Sequence, residues 1–84
     1  MKNSKLFNYL SECEALLADG FDDALVGYAF RSEGPVALYD KKKCIKILME
    51  RDKMSHEEAR EFFEFNVLGA WVGDRTPLFA SLII

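Results

Sequence analysis

Leu25-Val26-Gly27-Tyr28-Ala29-Phe30-Arg31-Ser32-Glu33-Gly34-Pro35-Val36-Ala37-Leu38-Tyr39 is the stretch that settles the class of fold. Within Asp22 to Arg31, Val26, Tyr28 and Phe30 alternate with Leu25, Gly27 and Ala29, the period of two that belongs to a strand. The second set is mostly small, which predicts a helix lying close against that face. Ser32-Glu33-Gly34-Pro35 is turn chemistry, and Val36-Ala37-Leu38-Tyr39 reads as the returning strand. An antiparallel hairpin with a loop of about four residues is expected.

On both sides of this hairpin the period changes to that of a helix. Upstream, Leu6, Leu10, Cys13 and Leu17 recur on one face, with Phe7 and Leu16 beside them. Asn3 or Ser4 can cap the start of this helix, and Asp19-Gly20 is expected to end it through the left-handed conformation that glycine accepts. Downstream, Asp40 can cap a helix from Lys41 to about Asp52 that buries Cys44, Ile45, Ile47, Leu48 and Met49. Ser55-His56-Glu57-Glu58 then reads as a capping box: the Ser55 hydroxyl accepts from the Glu58 amide while the Glu58 carboxylate accepts from the Ser55 amide. The third helix places Ala59, Phe62, Phe63, Asn66, Val67 and Ala70 on one face. Gly73-Asp74-Arg75-Thr76-Pro77 is a turn, and Leu78 to Ile84 a final strand. The expected fold is α+β: an N-terminal helix, a β-hairpin, two helices and a C-terminal strand, forming a small antiparallel sheet against helices.

The 84 residues make one domain, 1–84. Half of them are hydrophobic and 13% aromatic, enough for a core without disulfides or a structural metal. A net charge of −3 speaks against a general nucleic-acid coat, which needs clustered cations. Cys13 and Cys44 have no Cys-x-x-Cys spacing and read as reduced thiols in apolar surroundings. Met1-Lys2-Asn3-Ser4-Lys5 leads into an amphipathic stretch, unlike a signal peptide, and Leu78 to Ile84 is too short to span a membrane. A reducing cytoplasm, with no membrane attachment, is the expected setting.

Catalytic and metal chemistry find little to work with. His56 is the only histidine and falls at a helix start, where a solvent-facing role is ordinary. An acid/base enzyme using His56 with Glu57 or Glu61 is therefore the weaker reading, since no nucleophile accompanies them. Glu57, Glu58, Glu61 and Glu64 crowd the third helix, and negative charge near a helix N-terminus is favourable without any metal. No cofactor fingerprint is present, so no metal, cofactor or catalytic residue is assigned. Lys42, Lys43 and Lys46 give the second helix a basic face that could contact phosphate, the basis of a nucleic-acid or nucleotide-binding alternative. Asn66 interrupts an apolar stripe, so it is expected to be buried and to bond backbone in the Gly69–Gly73 segment or a strand edge, a structural role shared with Ser55 and Glu58. Phe65 and Leu68 point away from that stripe and, with Trp71, form an apolar patch suited to a second subunit or another protein.

From Tyr39 onward the chain also shows a pattern: Tyr39-Asp40, Cys44-Ile45, Leu48, Met54-Ser55, Glu57-Glu58-Ala59, Glu61-Phe62-Phe63-Glu64-Phe65-Asn66, Gly69-Ala70-Trp71-Val72-Gly73 and Thr76-Pro77. This pattern resembles a family of small hypothetical proteins of bacteriophages, prophages and bacterial or archaeal genomes. The likeness runs from about Asp22 to Phe79 and leaves out the first helix. The family carries no assigned activity, so the resemblance implies a viral or mobile-element setting and transfers no site residue. Together these readings give an expectation of a small phage-type accessory protein, non-enzymatic, that acts by protein–protein contact or self-association and modulates or inhibits a host system.

Overall fold

The computed structural model describes residues 4–70 and 73–83. Helix α1 (Ser4–Glu12) precedes a hairpin of β1 (Leu25–Arg31) and β2 (Gly34–Asp40), then come α2 (Lys41–Arg51), α3 (His56–Phe62) and a short strand β3 (Leu78–Ala80). The α+β order expected from the sequence is the one observed.

The first helix is shorter than its periodicity suggests. It closes in a Schellman turn at Glu14, which is left-handed at φ 60°, with Ala15 N donating to Leu10 O at 2.9 Å and Glu14 N to Ser11 O at 3.0 Å. Gly20 is left-handed too, at φ 89°, but it serves a later turn. Between the two turns the chain carries buried Ala15 and leads into Phe21 and a 3₁₀ turn, Asp22–Ala24, whose Ala24 is fully buried. The Tyr39 hydroxyl accepts a hydrogen bond from Ala18 N at 2.8 Å, a partner for an amide that a continuing helix would have satisfied itself. Leu16 and Leu17, expected on the helix's buried face, are 42% exposed instead.

The hairpin turn is tighter than the four residues expected. Arg31 pairs with Gly34, so only Ser32 and Glu33 lie outside the ladder, and Pro35 sits within β2 opposite Phe30. Gly34, at φ 134°, takes a backbone conformation in which a side chain would also collide with the Arg75 guanidinium. A bulge at Val26 shifts the register between Leu25 and Gly27. Opposed residues share a face, so Leu25, Tyr28 and Phe30 lie on the side of Ala37 and Tyr39. That side meets the helices: Leu25, Ala37 and Tyr39 share one core with Leu10, Cys44, Leu48, Ala59 and Phe63. The expectation of a helix against the small residues is thus reversed; a Cβ built on Gly27 would have nothing within 4 Å.

β2 is the central strand, paired antiparallel to β1 and parallel to β3 through Leu38–Leu78, Tyr39–Phe79 and Asp40–Ala80. The sheet is therefore mixed, where an antiparallel one was expected. The cause is the connection: α2 and α3 together carry the chain back past the sheet before β3 begins, the kind of crossover a parallel pair requires. The final strand stops at Ala80, short of the expected Ile84, which lies outside the described residues; Ile83 is 97% exposed. Phe79 stacks on Tyr39 with ring centroids 5.5 Å apart and meets Phe63 edge-on at 5.1 Å, joining the sheet to the third helix.

Candidate functional site

Each of the two long-range helices starts where its cap residue sits. Asp40 accepts from Lys42 N at 3.2 Å to begin α2, which buries Cys44, Ile45 and Leu48. Ser55 and Glu58 form the full capping box, with Glu58 N to Ser55 Oγ at 3.1 Å and Ser55 N to Glu58 Oε1 at 2.9 Å. Both residues therefore do the structural work the sequence assigns them.

Beyond Phe62 the helix widens into a π-helix, Phe63–Leu68. The wider turn changes which residues face inward. Ala59 and Phe63 are fully buried and Val67 packs beside them, but Phe62, Asn66 and Ala70 are exposed. Asn66 is thus not the buried amide expected. Its Nδ2 donates to Phe62 O one turn back at 3.2 Å, and its side chain stands at the surface. A π-helix arises when one extra residue is accommodated in a helical turn, and such segments recur at functional sites.

The surface around Asn66 is unusually apolar. Phe65 is 82% exposed and Leu68 45%, with Phe62 beside them. Trp71, the third member of the expected patch, lies outside the described residues. On one side of Asn66, Phe62 and Phe65 border a shallow depression of about 500 Å³ rimmed by Lys53, Glu58 and Glu61. On its other side is a groove of about 420 Å³ walled by Leu16, Leu17, Val67, Pro77 and Phe79. Leu16 and Leu17 are contributions that the helical reading missed, because it placed them in the core. Nothing local in the sequence marks the early end of α1.

The charged candidates separate. Lys42, Lys43 and Lys46 are all exposed on α2, as the phosphate-contact reading requires, but Lys43 and Lys46 share a small depression with Asp23 and Glu50. Lys41 instead crosses to the third helix, its Nζ 3.3 Å from Glu64 Oε2, and Arg60 reaches the same carboxylate at 3.4 Å. The opposed charges of the two helices meet at this point. With these side chains 29–42% exposed, the contacts orient the helices more than they stabilise the fold. His56 is exposed at the first turn of α3, beside Glu57, and Glu61 is exposed one turn further on. Cys13 and Cys44 are both free thiols. Burial, with Asp40 adding to it, pushes the Cys44 thiol up to about 12, so it is neither a nucleophile nor a ready metal ligand at neutral pH.

A second cluster of exposed aromatics went unanticipated. Tyr9 of α1 packs on Tyr28 with centroids 4.8 Å apart, and Tyr28 meets Phe30 edge-on at 5.5 Å. The alternation within β1 placed Tyr28 and Phe30 on one face; what it could not show was that the helices cover only the half of that face near Leu25. Among the described residues, no helix is long and apolar enough to cross a membrane. Compared with known proteins, the chain matches no family model, no curated protein and no solved structure.

Proposed function

We propose that this chain is a non-enzymatic protein–protein interaction module whose contact surface is centred on Phe65, with Phe62 and Leu68 beside it. The observation that carries the reading is the 82% exposure of Phe65 in a chain that fully buries Phe63 two residues away. Covering such a ring recovers on the order of 2 kcal/mol, enough to make it an anchor in a small interface. The rim of Lys53, Glu58 and Glu61 carries both signs of charge, which suits a partner surface with an apolar centre and polar edges. In the viral or mobile-element setting that the sequence pattern implies, the partner is a host or phage protein in a prokaryotic cytoplasm, and occupying its surface modulates or inhibits it. The test is affinity capture from host lysate with the tagged wild-type chain and with a Phe65→Ala/Leu68→Ala variant. Loss of a specific partner in the variant is expected; the same partner captured equally by both would remove the proposal.

A nucleic-acid or nucleotide-binding role is the second reading, favoured by the exposure of Lys42, Lys43 and Lys46 on one helix. It requires binding that weakens steeply with salt and is lost on reversing those three charges.

A further inference from the structure

Sheet edges are places where one chain can pair with another, and here the two edges differ. β3 offers only three residues. β1 is bulged at Val26, but beyond the bulge residues 27–31 form a regular edge with no lysine or proline to blunt it. The phase of the hairpin is fixed by Pro35. Having no N–H, Pro35 cannot bond to β1, so its pair with Phe30 is a non-hydrogen-bonded one, and so is Tyr28–Ala37 two residues on. The N–H and C=O of Tyr28 and Phe30 consequently point away from β2, toward the open edge. Among the described residues, no backbone hydrogen bond outside the hairpin engages either of them. Their rings stand on the same face and are 43% and 75% exposed, with Tyr9 at 38% alongside.

We propose that β1 is a self-association edge, on which a second copy of the chain adds its own β1 in antiparallel fashion across a two-fold axis at Ala29. In this register Tyr28 faces the second copy's Phe30, and Phe30 faces the second copy's Tyr28. Each of those pairs exchanges two backbone hydrogen bonds, so the outward donors and acceptors of both residues find partners. The same register sets aromatic rings against each other on one face, one of the cross-strand pairings that stabilise a sheet. The match is self-complementary: the strand supplies both halves of each pair, as an isologous contact requires. Pairing consumes both copies' β1 edges and leaves only the three-residue β3 edges outside, so association closes at two chains.

The three rings expose on the order of 300 Å² per copy between them. A stable dimer of standard size buries about 800 Å² per partner. The pairing is therefore a reversible one that responds to concentration.

Sedimentation velocity from about 1 µM to about 1 mM reads this directly. The wild-type chain is expected to move from one chain's mass to two and to stop there. Phe30→Lys, whose site lies outside the core, is expected to stay at one chain with the wild-type circular dichroism, whereas Phe65→Lys/Leu68→Lys keeps the concentration-dependent step. Ala29→Cys, made with Cys13→Ser, is expected to form a covalent dimer on mild oxidation, because a non-hydrogen-bonded antiparallel pair sets its Cα atoms about 4.5 Å apart. This cross-link reports on the edge even if Phe30→Lys fails to fold. A wild-type chain that stays single throughout, growth past two chains, a dimer that survives Phe30→Lys but not Phe65→Lys/Leu68→Lys, or no cross-link through residue 29 would each overturn the proposal. Partner capture through Phe65 is a separate measurement, made in lysate, and a chain that stays single or gives no cross-link through residue 29 leaves it standing.

Discussion

Arg75 joins three parts of the chain that are far apart in sequence. Its Nη1 donates to Glu33 O at 2.8 Å at the hairpin turn, and its Nη2 donates to Cys13 O just past the end of α1. Replacing it with Ala leaves two partly solvated backbone carbonyls without their donor, and a loss of about 1 kcal/mol in unfolding free energy is expected from urea titration. Tyr39 plays a comparable part from within the core. Tyr39→Phe keeps the ring and its stacking on Phe79 but takes the acceptor from Ala18 N, and about 1 kcal/mol of destabilisation is expected in the same measurement. Glu14 works in the opposite sense. It holds a left-handed conformation at φ 60°, so Glu14→Gly is expected to raise the unfolding free energy from urea titration by up to about 1 kcal/mol.

At the level of elements, what could be read from the sequence was what depends on near neighbours. The capping box at Ser55 needs only residues three apart, and Ser55→Ala is expected to cost about 1 kcal/mol and to lower helical circular dichroism. The cap of α2 at Asp40, the buried face of Cys44, Ile45 and Leu48, and the hairpin itself were legible for the same reason. Where long-range contacts decide, local pattern misled. Leu6, Leu10, Cys13 and Leu17 keep helical spacing, yet the chain leaves the helix at Glu14 because Tyr39 and Arg75 offer partners 21 and 62 residues away. The π-helix turned Asn66 outward although its neighbours read as a buried stripe. Of the candidate surface, Phe65 and Leu68 were legible because they fall off the helix's apolar face. Leu16, Leu17 and the coupling of Tyr9 to Tyr28 were not, since each depends on where an element ends or docks.

The molecule as a whole keeps its ionisable core groups neutral. Burial raises the Cys44 thiol to about 12, and burial likewise raises the Tyr39 hydroxyl above its usual 10.0. Unfolded, these groups ionise near 9.0 and 10.0; folded, they hold their protons longer. Between those limits the unfolded chain binds fewer protons, so stability is expected to fall as pH rises above about 9. Chemical denaturation at a series of pH values reads the slope. Cys44→Ala is expected to flatten the slope from pH 9 up to about 12, and Tyr39→Phe to lessen it only above about 10.

The reach of Arg75 also bears on how the protein is made. The hairpin and α2 can take shape from what has already left the ribosome. The stop of α1, the tie at the hairpin turn and the stacking of Phe79 all wait for residues 75–79. A nascent chain arrested before Gly73 thus holds its hairpin without the clasp that fastens it, exposing core side chains to proteases until residues 75–79 emerge.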